Sequence, residues 1–254
     1  MSPLKLYGVP LSQPFRSVAW TLLLRQLPFE IQLTVPGAKS KIGSLNEDFL
    51  AKTKGRTGKV PLLEDGQLAI SESCAILTYI CEKYHGENLY GLPGTKQKAL
   101  IDSYMHWHHG GTRQLAKLAR PYLRPELKTH VTDQDRENAA AVLESLDRAW
   151  LQGDDEYIAS SKEPTIADIL AYEEITQVTM TGALEGINDY PNLILWMKRM
   201  SCLPYHEEIH ISLKVLGNLP EPSDTPMQKR LGAATKAGVA AIMEAQESMQ
   251  ASKL

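Results

Sequence analysis

Residues 4–35 read LKLYGVPLSQPFRSVAWTLLLRQLPFEIQLTV, and their patterning decides how the chain starts to fold. Leu4-Lys5-Leu6-Tyr7-Gly8 alternates apolar and polar residues, the period of a half-buried strand. From Gln13 to Arg25 the spacing turns helical, with Val18, Trp20, Leu22, Leu23 and Leu24 on one broad face. Pro14 suits a first helical turn, where a missing N–H costs nothing. Leu27-Pro28 ends that helix. Phe29-Glu30-Ile31-Gln32-Leu33-Thr34-Val35 then alternates again as a second strand. Strand, helix and strand at this length form a βαβ unit, so the two strands are expected to be parallel.

Farther on, Val60-Pro61-Leu62-Leu63-Glu64, a turn at Asp65-Gly66, and Gln67-Leu68-Ala69-Ile70 predict a hairpin. Ser71 to Tyr84 predicts a helix with Ala75, Ile76, Tyr79 and Ile80 inward. A short helix is expected over 45–52. The order βαβ, loop, ββα is that of a thioredoxin-like domain over residues 1–84. Residues 85–98, dotted with glycine and proline, read as a linker. From 99 to 219 every periodic segment is helical, with helices expected over 96–119, 133–152, 165–181, 192–201 and 204–216. Asp133 and Thr165 read as helix N-caps, and Thr165-Ile166-Ala167-Asp168 has capping-box spacing. The fold class is therefore α/β plus all-α: an N-terminal thioredoxin-like domain followed by an all-helical C-terminal domain. Residues 220–254 read as a flexible tail. Pro220 to Pro226 is its connector, and 227–249 is a marginal helix of low apolar content, better suited to a stalk than to a lid over a cleft.

Bulk composition narrows the function classes. The 254 residues carry a formal net charge of -3. Nucleic acid is not expected as a partner, because phosphate binding needs clustered positive charge. No apolar run approaches the roughly 20 residues that span a bilayer, and the N-terminus shows no secretory signal. The cysteines are Cys74, Cys81 and Cys202, an odd number with no CxxC, which points to a reducing compartment and not to a disulfide framework. His106, His108 and His109 are joined by no cysteine or carboxylate that would complete a zinc site, so no metal is expected.

Three short signals carry the chemistry: Ser12-Gln13-Pro14 where a helix begins, Lys59-Val60-Pro61 before a strand, and Glu72-Ser73 opening another helix. Together they describe a pocket for a small thiol peptide. A hydroxyl and free backbone N–H groups at a helix start favour an anion such as a thiolate. Each signal also has an ordinary structural reading: a capping serine, a solvated turn lysine, and a capping hydroxyl with a first-turn acid.

With these residues in place, the chain resembles a glutathione transferase, most closely the plant-type theta class. The likeness rests on Ser12-Gln13-Pro14 with Arg16, Gly58-Lys59-Val60-Pro61, Glu72-Ser73-Cys74-Ala75-Ile76-Leu77, Trp107-His108-His109, Thr165 to Asp168, and the stretch from His206 to Val215. It covers roughly residues 3–217. The resemblance implies that Ser12 stabilises the thiolate of bound glutathione. It also implies that Val60, before a cis Pro61, pairs with the cysteinyl backbone. Lys59 would reach the glycine carboxylate, and Glu72 and Ser73 would hold the γ-glutamyl end. Tyr7, on the segment where other classes carry a tyrosine activator, ranks second to Ser12. Arg113 matches a basic residue facing the cleft and is the candidate for the electrophile site. The sequence departs from the class near Phe49, where Gly43 and Ser44 replace an expected histidine or glutamine; Lys39 and Lys41 are the nearby substitutes.

The implied activity is conjugation of glutathione to hydrophobic electrophiles together with reduction of organic hydroperoxides. Glutathione would be a co-substrate, with no tightly bound cofactor, and the chain a homodimer. The alternative is a non-catalytic glutathione- or ligand-binding protein of the same fold. Ser252-Lys253-Leu254 is a peroxisomal targeting tripeptide read by an import receptor, so the expected location is the peroxisome, with the cytoplasm second.

Overall fold

In the computed structural model of the chain, residues 3–152, 156–159, 162–184, 186–219 and 227–251 are described. The βαβ unit forms as its pattern dictates: β1 (Leu4–Gly8), α1 (Gln13–Leu24) and β2 (Phe29–Leu33). A short α2 (Glu47–Lys52) precedes the hairpin of β3 (Leu62–Asp65) and β4 (Leu68–Ser71), and α3 (Ser73–Lys83) follows. The sheet order is β2-β1-β3-β4. β1 runs parallel to β2, with Leu6 opposite Ile31, and antiparallel to β3, with Leu6 opposite Leu63. This is the thioredoxin-like arrangement. Leu6, Phe15, Leu63, Ile76 and Leu77 fill the space between the sheet and α1 and α3.

The second domain is helical: α5 (Lys96–Trp107), α6 (Ala116–Leu123), α7 (Asp133–Ser145), α8 (Ile166–Thr179), α9 (Pro191–Met200) and α10 (His206–Leu216). The segment expected as a linker is packed: it holds α4 (Glu87–Tyr90), and Leu89 and Tyr90 are buried in the core. The single helix expected over 96–119 is broken. Gly110 and Gly111 stop α5, since glycine is a poor helix former, and Thr112–Leu115 is a 3₁₀ turn before α6. The cap of α7 lies one residue earlier than expected: Thr132 accepts from Asp135 N–H at 3.1 Å, and Asp135 returns the bond to Thr132 N–H.

At the head of α8, Asp168 accepts from Thr165 N–H and Oγ, Ile158 N–H and Trp196 Nε1 at 2.7–2.8 Å. One buried carboxylate thus fixes a helix start, a loop and a neighbouring helix.

The two domains share one core. α8 packs on α1, and Trp20, wholly buried, donates from Nε1 to the Pro204 carbonyl at 2.8 Å. Across the same seam Arg16 and Glu173 form an ion pair at 2.5 Å with both side chains fully buried. Arg16 also donates to the Pro10 carbonyl, to Gln177 Oε1 and to the Glu173 carbonyl. Burial would push the Glu173 carboxyl up, but His210 and Arg16 outweigh it and hold it below its ordinary range.

The reading of 227–249 as a marginal helix serving as a stalk is corrected: residues 227–251 are docked. These residues form one 25-residue helix, α11 (Met227–Ala251), packed along α10 and onto α1. Ala234 and Ile242 are fully buried, and Gln246 Oε1 accepts from Phe29 N–H at 2.9 Å, which covers the first donor of β2. The helix lies so close to the body that a β-carbon on Gly238 would stand 2.6 Å from Pro10 and 2.9 Å from Ser212. Residues 220–226 and the tripeptide Ser252-Lys253-Leu254 lie outside the described residues.

A docked α11 has a measurable consequence. Ile242→Ala is expected to lower unfolding free energy by about 2–4 kcal/mol, and Gly238→Leu by about 1–3 kcal/mol through overpacking. Urea unfolding of the full chain checks both. A solvated stalk would leave each within about 0.5 kcal/mol of the parent.

Candidate functional site

A cavity of about 210 Å³ lies where the two domains meet, lined by Pro14, Lys59, Val60, Pro61, Ser71, Glu72, Ser73, His108, His109 and Arg113. Five of the sequence-predicted site residues, Lys59, Val60, Pro61, Glu72 and Ser73, are brought together here, with Arg113 facing them from the helical domain. Ser12 is not among the lining residues. It stands two positions before Pro14, at the start of the same helix.

Each element explains its contribution. Ser12 occupies the N-cap position of α1 with extended backbone, yet its hydroxyl makes no capping bond. Among the described residues Ser12 Oγ has no protein partner, so the plain capping reading does not hold. No acid sits in the first turn of α1 to compete for the helix's positive end. The peptide bond Val60–Pro61 is cis. Val60 lies just before β3, outside the strand ladder, whose pairing begins at Leu62 with Ser71. Glu72 takes φ 73°, ψ 116° at the entry to α3, an uncommon conformation for a residue with a β-carbon, and such residues cluster at ligand sites. It leaves the carboxylate exposed at the cavity edge and sets Ser73 at the first helical position.

Tyr7, the rival activator, is committed elsewhere. Its hydroxyl donates to Glu64 Oε2, Lys52 pairs with Glu64 at 2.9 Å, and the Tyr7 ring packs on Phe49. Burial and the Glu64 carboxylate both raise its pKa.

The loop that departs from the class is also explained. Ser44 is fully buried, accepts from Gly37 N–H at 2.8 Å and donates to the Gly58 carbonyl, next to Lys59. A β-carbon on Gly43 would meet the Ala38 carbonyl oxygen at 2.1 Å. These two residues brace the loop beneath Lys59; neither lines the cavity, and nor do Lys39 and Lys41, which are exposed.

On the helical side, Arg113 lies in the 3₁₀ turn created by the Gly110-Gly111 break, not on a continuous helix face. Its Nη1 donates to Glu174 Oε1 at 2.7 Å, and Glu174 is buried on α8. Glu174 in turn raises the guanidinium's pKa, keeping it charged. His108 is buried beside it with Nδ1 2.7 Å from Thr112 Oγ1. Burial and the Arg113 charge lower its pKa to about 3, so the imidazole is neutral. The cations facing the cavity are therefore Lys59 and Arg113. Sequence reading missed Glu174, since a glutamate inside a helix carries no local signal of burial.

The thiols do not take part. Burial pushes Cys74 up to about 11 and Cys81 up to about 12, which leaves both protonated and unreactive at neutral pH. Among the described residues no group of three or more His, Cys, Asp or Glu is placed to hold a metal, and no helix is long and apolar enough to cross a membrane.

Residues 6–88 match the glutathione S-transferase N-terminal domain and residues 114–204 the glutathione S-transferase C-terminal domain. Glutathione S-transferase 3 of Zea mays is 33% identical over 174 residues, 66% of this chain and 75% of that protein. The chain belongs to the glutathione S-transferase family. Within it, glutathione S-transferase theta-1 of Gallus gallus is 26% identical over 249 residues, 90% of this chain and 94% of that one. Two Arabidopsis thaliana relatives, glutathione S-transferases T3 and T2, are 27% identical over 219 residues, and the chain spans 36% of their length. A solved glutathione transferase homolog from Drosophila mojavensis, with bound glutathione, superposes at a TM-score of 0.69 with 25% identity, covering 96% of this chain and 98% of that one.

Proposed function

We propose that this chain is a theta-type glutathione transferase that uses Ser12 to hold the glutathione sulfur as a thiolate. The observation that carries the reading is the unpartnered Ser12 hydroxyl at the acid-free N-terminus of α1, next to a cavity lined by Lys59, Val60, Pro61, Glu72 and Ser73. A hydrogen bond from that hydroxyl, with the positive end of α1, favours the anion over the thiol. Val60 pairs with the cysteinyl backbone, Lys59 takes the glycine carboxylate, and Glu72 and Ser73 hold the γ-glutamyl end.

The thiolate then attacks an electrophile, forming a carbon–sulfur bond as the leaving group departs with its electron pair, while the thiol proton goes to solvent. With an organic hydroperoxide, sulfur attacks oxygen and the O–O bond breaks. The products are an alcohol and a sulfenic acid, and a second glutathione converts the latter to the disulfide and water.

The direct test supplies purified protein with glutathione and an aryl halide, and separately with cumene hydroperoxide. Ser12→Ala is expected to lower kcat/KM by about 10- to 100-fold, the worth of a hydrogen bond to a charged group, and to move the rising limb of the pH profile towards the free-thiol value near 8.5. Tyr7→Phe is expected to leave both unchanged. Absence of turnover above the Ser12→Ala rate with both substrates would reduce the protein to a binding role.

Two further proposals concern assembly and place. The chain is a homodimer, and sedimentation equilibrium should return twice the 28.2 kDa chain mass; a single-chain mass at micromolar concentration contradicts it. Ser252-Lys253-Leu254 addresses it to the peroxisome. A fluorescent protein fused in front of the full chain should be peroxisomal and become cytosolic when Leu254 is deleted, and an unchanged distribution excludes the tripeptide as the address.

A further inference from the structure

We propose that Arg113 is a glutathione ligand, contacting the α-carboxylate of the γ-glutamyl residue, and that the buried Glu174 is the positioning residue that aims it. This rests on the glutathione reading above and reassigns Arg113 from the electrophile to the thiol peptide.

Charge matching carries the argument. Glutathione brings two carboxylates, at opposite ends, and one ammonium group. The cavity offers two permanent cations, Lys59 and Arg113, an exposed imidazole, His109, and one exposed carboxylate, Glu72. Lys59 lies on the side of Val60 and Pro61. Arg113 lies on the side of Glu72 and Ser73, close enough that the Glu72 charge acts on it. Placing the γ-glutamyl end between Glu72 and Arg113 therefore pairs every charge of the ligand, whereas without Arg113 one carboxylate has only a hydroxyl and a helix end.

The hydrogen-bond inventory agrees. A guanidinium has five N–H donors in a fixed fork. Among the described residues the Arg113 side chain uses one, Nη1 to Glu174 Oε1. Its side chain is 39% exposed, so the remaining donors are open to a ligand, while that of Glu174 is 1% exposed. A buried carboxylate of this kind does not move with the ligand; it fixes the arginine in advance and lowers the ordering cost of binding. His108 leaves the role to Arg113, because its ring is buried and bonded to Thr112.

Calorimetric titration of the full-length protein with three peptides tests this. They are glutathione, 4-aminobutyryl-cysteinyl-glycine, which lacks the α-carboxylate, and glutaryl-cysteinyl-glycine, which keeps that carboxylate and lacks the amine. The parent protein should bind the 4-aminobutyryl peptide about 10- to 100-fold more weakly than glutathione. Arg113→Gln should weaken glutathione and the glutaryl peptide by a similar factor and leave the 4-aminobutyryl peptide nearly unchanged. Arg113→Lys should fall between. Because Arg113→Gln strands a buried carboxylate, the Arg113→Gln/Glu174→Gln double variant provides a charge-balanced version with the same expected pattern. Equal weakening of all three peptides would make Arg113 a purely structural residue, and unchanged discrimination in both variants would overturn the assignment while leaving the glutathione reading intact. A parent protein that binds none of the peptides would overturn both.

Discussion

The fully buried ion pair between Arg16 on α1 and Glu173 on α8 is the constraint on which the rest of the structure depends. It joins two domains whose only covalent connection is the segment around α4, and it does so at the back of the functional turn. A charge pair in the core is tolerated only when its remaining donors and acceptors are used. Arg16 meets that condition by reaching the Pro10 carbonyl, Gln177 and the Glu173 backbone; the second Glu173 oxygen makes no hydrogen bond among the described residues and has His210 Nε2 3.3 Å away. The Pro10 carbonyl also accepts from Ser212 Oγ on α10 at 3.1 Å. Three helices thereby hold the backbone two residues before Ser12, and α11 closes over the same proline through Gly238. In the role proposed for Ser12 such fixed support counts, because a wandering donor would lose in ordering what it gains in hydrogen bonding.

Much of this was legible in the sequence, and the reasons are local. Period-2 alternation in 4–8 and 29–33 and the Asp65-Gly66 turn are signals that tertiary context has no reason to override. The order of those signals matches the thioredoxin-like arrangement observed, and Lys59 to Pro61 and Glu72-Ser73 meet at one cavity, with Ser12 outside its lining. What escaped was set by close approach and by burial. The alanines and glycines of α11 looked too weakly apolar to pack, yet small residues let a helix lie against Pro10 and Ser212 at a distance that larger side chains forbid. The glycine break before Arg113 reads as continuous helix in the apolar pattern; the side chain faces the cleft as expected, but from a 3₁₀ turn that the pattern does not signal. Ser44 was read as a lost ligand, when it is the buried brace of the loop under Lys59.

Consecutive glutamates on α8 unite these observations. Neighbouring residues on a helix point about 100° apart, so Glu173 and Glu174 face different parts of the molecule. Glu173 turns to the first domain and holds Arg16; Glu174 turns to the break after α5 and holds Arg113. Burial pushes both carboxyls up; at Glu173 His210 and Arg16 outweigh it, whereas at Glu174 Arg113 offsets it only in part and the carboxyl stays above its ordinary range. One helix, itself pinned at its start by Asp168, thus fixes a cation behind the turn that carries Ser12 and a second beside Glu72 and Ser73. The two arginines are thereby held relative to each other by the packing of α8 against α1 and against the turn after α5. A movement that changed this spacing would have to break an ion pair whose carboxylate is buried, and that cost is what keeps the two sides of the cavity in register.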